Sequence, residues 1–316
     1  MQDRKKIIIA IMAVVMLGIT LPSATAQSNP LQYQHSSGVV TLSTDSLEIR
    51  VVGANTSPHF HWWSPTDPSI DYHMKFVSLF EANDTDSDGV FTRGVDTLVG
   101  PRFMLPLTDW EFSGFQTETD GENITAVHFN FTSVETFNPR PEGAQYNWTQ
   151  LPSLPSFDVT VQIRVHLYMD SPSEVKFDVI IDGWTWTYDD SILVLQFVIT
   201  ESNHGASQPE TPPGQFHRTE TKFQFSNGYM EYEPTALAAN NSLQVKASYG
   251  EGIGLEAGES VYLAFENFGD ETLVYDPVLG VESSSSLPLI DTPALLLIGG
   301  VIGVVVIAVI VLRVRK

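Results

Sequence analysis

Apolar and polar residues alternate with a period of two through the middle of the chain, and that period predicts strands. In residues 157–167, Phe157, Val159, Val161, Ile163, Val165 and Leu167 fall on one face. Asp158, Thr160, Gln162, Arg164 and His166 fall on the other. Val175, Phe177, Val179 and Ile181 repeat the pattern after a turn at Asp170-Ser171-Pro172. Val127, Phe129 and Phe131 precede it, opposite His128, Asn130 and Thr132. Residues 192–200 are continuously apolar and read as a strand buried on both sides. Further strands are expected at 41–52, 72–80, 221–225, 229–232, 242–247, 261–266 and 273–281, with turn signals at Asp182-Gly183 and Asn227-Gly228. Residues 57–71 hold three prolines and read as loop, 81–94 as an acidic loop, and 101–115 have no clear phase. No helical period stands out between Gln27 and Asp291. The fold class predicted is all-β: an antiparallel β-sandwich over residues 27–282, as one body or as two sub-sandwiches divided near 202–215.

The ends follow a different pattern. Arg4, Lys5 and Lys6 precede an apolar run, 7–21, then Pro22 and the small-x-small Ala24-Thr25-Ala26. That order is expected of a secretory signal peptide over 1–26. Residues 294–312 are apolar or glycine without a charge, long enough as one transmembrane helix for a bilayer core of ~30 Å. Residues 283–293 would be a Ser-rich tether and 313–316, with Arg313, Arg315 and Lys316, a cytoplasmic basic tail. The expectation is a single-pass type I membrane protein whose bulk is extracytoplasmic.

Composition sharpens this. Of 16 basic and 38 acidic residues, six basic and one acidic lie in the two ends. The stretch between them therefore carries 10 basic and 37 acidic residues, a net of −27 that excludes a phosphate-backbone partner. With 42% apolar and 17% charged residues the chain is expected to fold. There is no cysteine, which is unusual for a eukaryotic ectodomain and points to a prokaryotic source. Six of the twelve asparagines, Asn55, Asn83, Asn123, Asn130, Asn147 and Asn240, lie in N-x-Ser/Thr sequons and are expected glycosylation sites.

The sharpest motif is Asp84-Thr85-Asp86-Ser87-Asp88-Gly89-Val90-Phe91-Thr92. Oxygens at alternate positions, a glycine at the sixth and a carbonyl at the seventh can wrap a hard cation. The run resembles the first half of the calcium loops of EF-hands and dockerins. That resemblance implies Asp84, Asp86 and Asp88 as calcium ligands, the Val90 carbonyl, and Thr92 directly or through water. It departs at position twelve, where Val95 replaces the bidentate acid; Asp96, one residue on, is the candidate substitute. In outline, the signal peptide, sequons and C-terminal anchor are similar to those of archaeal cell-envelope proteins, an architectural likeness only.

His59-x-His61, with His73, forms a second candidate metal site, for a transition metal. His128 and His166, on outward faces of expected strands, would meet if those strands pair. Trp62, Trp63, Trp148, Trp184 and Trp186 are candidates for a sugar-stacking platform. Neither Gly-x-Ser-x-Gly nor His-Glu-x-x-His occurs, and Gly250-x-Gly252-x-Gly254 lacks the context of a phosphate loop. The expected function is therefore not catalytic. It is binding or structural work at the cell surface, supported by calcium: adhesion, envelope architecture, or capture of a carbohydrate or protein ligand. The rival is a solute- or metal-binding module serving a transporter or electron-transfer partner; a carbohydrate-active enzyme stands third.

Overall fold

The computed structural model describes residues 31–53, 56–134, 158–203, 217–239, 241–252 and 259–282. The expected signal peptide, tether, membrane span and basic tail lie outside the described residues, as do Asn55, Asn147, Asn240, Trp148 and Gly254. Among the described residues no helix is long and apolar enough to cross a membrane.

Those residues form an all-β structure of twenty strands, interrupted by one 3-10 turn at Leu105–Leu107. The first half comprises β1 (Gln32–Ser36), β2 (Val39–Ser43), β3 (Glu48–Val52), β4 (His59–Ser64), β5 (Asp67–Asn83) and β6 (Thr97–Met104). Next come β7 (Trp110–Phe112), β8 (Gln116–Asp120), β9 (Asn123–Ser133), β10 (Thr160–Tyr168), β11 (Glu174–Asp182) and β12 (Ile192–Asn203). Then follow β13 (His217–Arg218), β14 (Lys222–Gln224), β15 (Gly228–Glu231), β16 (Thr235–Ala238) and β17 (Asn241–Glu251). The last are β18 (Glu259–Phe265), β19 (Leu273–Tyr275) and β20 (Val278–Val281).

Every strand pairing is antiparallel, and the pairings form two ladders. One runs β1-β2-β3-β4-β5-β12-β18-β17, with β6 beside the far half of β5. The other runs β8-β9-β10-β11 and continues through β19 and β20 to β16 and β15, with β7 also on β9. The strand β17 belongs to both, pairing β16 through Asn241–Gln244 and β18 from Val245 onward. Inward residues of the two ladders share one core. Phe60 and Phe76 of the first lie 5.4 and 6.1 Å from Phe177 of the second, and the Trp62 indole donates to the Gly280 carbonyl at 3.1 Å. Burying such aromatic side chains is worth roughly 1.5–3 kcal/mol each before entropy is counted.

The clear period-two segments lie as the pattern predicts. Val161, Ile163, Val165 and Leu167 are buried, while Thr160 and Arg164 are exposed. Four expectations need correction, one of them being residues 273–281, which are two strands, β19 and β20, parted by Asp276 and Pro277. Residues 41–52 are two strands, not one, because the Thr44 hydroxyl accepts from Ser46 and Leu47 amides and turns the chain. Residues 57–71 are not a loop but β4 and the start of β5. Pro58 precedes β4, Pro65 sits in the turn, and Pro68 lies outside the paired registers, so no ladder bond is lost. The acidic loop starts at Asp84 rather than Glu81, since Glu81, Ala82 and Asn83 complete β5.

One irregularity decides what the outer face carries. Opposite β12 the register of β5 shifts between Phe76 and Ser78, leaving Val77 as an extra residue. Tyr72, Met74, Phe76 and then Leu79 join the main core. Past the bulge, Phe80 and Ala82 turn outward and meet Ile192, Val194, Tyr262 and Ala264 in a second cluster. Phe91 of the acidic loop lies in that cluster, its ring 5.1 Å from Phe80 and 5.0 Å from Tyr262. This is why β12 is apolar on both sides.

Candidate metal sites on the sheet faces

Before the bulge, the outward positions of β4 and β5 are polar. Phe60 and Trp62 point into the core, so the alternation sends His59 and His61 outward. On β5, Tyr72 and Met74 go in, and Asp71, His73 and Lys75 share the opposite face. The register places His61 directly across from His73 and His59 across from Lys75. On the other side of β5, Thr200 opposes His73 and Ser202 opposes Asp71.

The three imidazoles converge. Each offers a ring nitrogen within 4.8 Å of the others. Ring centroids of His61 lie 4.3 Å from both His59 and His73. Asp71 brings a carboxylate oxygen to 3.4 Å from both His61 Nδ1 and His73 Nε2. Ser202 Oγ lies 2.7 Å from His73 Nε2. Burial, then the neighbouring His61 and His73 and the Lys75 ammonium, holds the His59 pKa down to about 3, against a smaller opposing pull from Asp71. A neutral imidazole keeps the lone pair that a metal needs. Imidazoles with a carboxylate and no thiolate form a donor set suited to Zn²⁺, Cu²⁺ or Ni²⁺.

The second ladder carries a different histidine arrangement. His128 of β9 directly opposes His166 of β10, and their Nδ1 atoms lie 2.7 Å apart. His128 Nε2 is 3.3 Å from Glu118 Oε1, off the line of a hydrogen bond, and His166 Nε2 is 3.2 Å from Asp178 Oδ2. These groups lie at an open pocket of about 400 Å³ that Arg164 and Tyr168 also line. Burial, then the adjacent His166, lowers the His128 pKa. The sequence placed both histidines on outward faces; their partnership depends on a register it does not carry.

Asp84, Asp86 and Asp88 also converge, with carboxylate oxygens within 4.8 Å. Part of their capacity is used by the loop. Asp84 accepts from the Asp88 and Gly89 amides at 3.2 and 2.7 Å, and Asp88 from the Val90 amide at 2.7 Å. Asp96 accepts from the Thr85 and Thr92 amides at 2.9 and 2.6 Å, which makes it a clamp on both ends of the loop. The Lys246 ammonium donates to the Asp88 carbonyl. Partial desolvation, then Asp88, Asp96 and Asp84, raises the Asp86 pKa.

The tryptophan platform is overturned. Trp62, Trp63 and Trp184 are buried core residues, and Trp186 packs half-buried against Phe268. Of the described sequons, Asn123 is exposed, while Asn83 and Asn130 are half-buried. Asn130 lines the His128–His166 pocket.

No protein-family model matches the chain, and no curated protein matches it. Among solved structures it is similar to a heparinase III gene product, at a TM-score of 0.40 and 10% identity over 82% of this chain. It is also similar to the heparan sulfate lyase HepC of Pedobacter heparinus, at 0.35 and 9% over 81%. In both cases the chain spans 37% of the other protein's length. Likeness at that level assigns neither fold nor function.

Proposed function

We propose that this is a membrane-anchored, extracytoplasmic β-sandwich protein that captures a divalent transition metal on its histidine-bearing face. The observation that carries the reading is the convergence of His59, His61 and His73 with the Asp71 carboxylate. The three histidines would supply the ligands. Asp71 would complete the set or fix the ring tautomers, as carboxylates beside metal-bound histidines do. The chemistry fits the solute- or metal-binding module better than adhesion. The two ladders facing across one core support the sandwich. The anchor, the signal peptide and the sequons rest on the sequence alone and belong to the same proposal. Zinc analysis of untagged protein tests it: the wild type should retain one equivalent more than His73→Ala after desalting. Equal retention by both would end the reading.

A second reading has its own observation. The Asp84, Asp86 and Asp88 carboxylates crowd one loop, and a calcium ion there would relieve the repulsion that adds to desolvation in raising the Asp86 pKa. Lacking a bidentate acid at position twelve, such a site belongs in the millimolar range of extracellular modules. Calcium at several millimolar should raise the melting temperature of the wild type and not of Asp86→Asn.

A further inference from the structure

The His128–His166 pair lies on the other ladder and shares no residue with the site proposed above. Two imidazole nitrogens 2.7 Å apart cannot both present bare lone pairs to each other. Each ring's outer nitrogen faces a carboxylate, Glu118 for His128 and Asp178 for His166. Asp178 favours the proton on the His166 Nε2, and both Nδ1 atoms turn inward. What lies between them is either one hydrogen, donated by one ring to the other, or one metal ion.

The outer groups point to the metal. A histidine that ligates a metal through one nitrogen almost always gives its other N–H to a carboxylate, a carbonyl or water, which fixes the ring and raises its basicity. Here Asp178 stands in that position for His166 at 3.2 Å, and Glu118 lies 3.3 Å from His128 Nε2 with no hydrogen bond between them. The Arg164 guanidinium, 3.9 Å from Asp178, holds the second carboxylate from the solvent side. Tyr168 flanks both rings, stacked on His166 at 6.2 Å and edge-on to His128 at 5.5 Å. Tetrahedral bonds of ~2.0–2.1 Å would set the two nitrogens ~3.3 Å apart, so a small turn of both rings admits the ion. The open pocket leaves the remaining positions to water or an exogenous ligand.

We propose that His128 and His166 form a second site for a divalent transition cation, ligated through the two facing Nδ1 atoms and oriented by Glu118 and Asp178. Isothermal titration of the full-length, untagged protein with Zn²⁺ after chelator treatment tests it. The wild type should bind two equivalents, His166→Gln one, His73→Ala one, and the double variant none. Glu118→Gln, an exposed change that removes no ligand, should keep both equivalents and weaken one by ~10–100-fold. If His166→Gln fails to fold, Glu118→Gln carries the test. Stoichiometry unchanged by His166→Gln, or affinity unmoved by Glu118→Gln, would mean a shared proton only and would overturn the site. The two sites fail separately: loss of the sole equivalent in His166→Gln would leave this one standing and remove the other.

Discussion

His61 stands directly across the β4–β5 pair from His73, and one oxygen of Asp71 reaches 3.4 Å from each ring. Cross-strand neighbours approach this closely only on one face, so a shift of one register position would separate the ligands. The site is thus a property of the pairing, and its residues are expected to act as a unit. His61→Ala and His73→Ala should each weaken zinc binding by at least about 100-fold. Asp71→Asn should fall within the ~10–100-fold that loss of an orienting partner costs. Competition titration with a chromophoric chelator measures both. Saturating zinc, at about 100 times Kd, should stabilise His166→Gln, which keeps this site alone, by about 2.7 kcal/mol and leave the His73→Ala/His166→Gln double variant unmoved.

Acid should weaken the metal-free fold through His59. Its folded pKa of about 3 lies below the ordinary 6.5, so the unfolded chain binds the proton more readily. The stabilisation is complete above pH 6.5 and is lost as pH falls from there toward 3. Melting temperature measured in chelator across that window should decline more steeply for the wild type than for His59→Gln. Equal slopes would contradict the assignment.

Glu81 is expected to be a structural residue with a large effect. Its buried carboxylate accepts from the Thr187 and Tyr188 amides at 2.9–3.0 Å and from the Ser191 hydroxyl, tying the loop before β12 to β5. Glu81→Ala would orphan these donors and cost roughly 3 kcal/mol. Urea unfolding of the metal-free protein would show it as a lower midpoint.

Gly183 should tolerate no side chain. Its φ of +73° is left-handed, and a Cβ would lie 2.3 Å from the Asp158 carbonyl oxygen, a backbone atom that cannot turn aside. Gly183→Ala should cost more than about 1 kcal/mol in the same unfolding measurement. The Asp182-Gly183 pair was legible as a turn because this conformation favours glycine.

The strands of the second ladder were equally legible, since Val161 to Leu167 and Val175 to Ile181 each bury one face. The pattern failed where the rule behind it failed. Pro58, Pro65 and Pro68 suggested a loop, yet all three lie where no ladder amide is needed. Trp62 and Trp63 looked like a platform because a residue-type argument cannot tell a buried indole from an exposed one. The bulge at Val77 inverts the inward phase of β5 and left the start of the acidic loop misplaced. The histidines were visible as candidates, but their convergence depends on Asp71 and on registers between strands, which one sequence does not contain.

The most direct test is zinc K-edge absorption on the His166→Gln protein loaded with one equivalent of zinc, which isolates the first site. The account predicts imidazole scattering from three nitrogens at about 2.0–2.1 Å with a single oxygen beside them. An all-oxygen shell without imidazole scattering would contradict it.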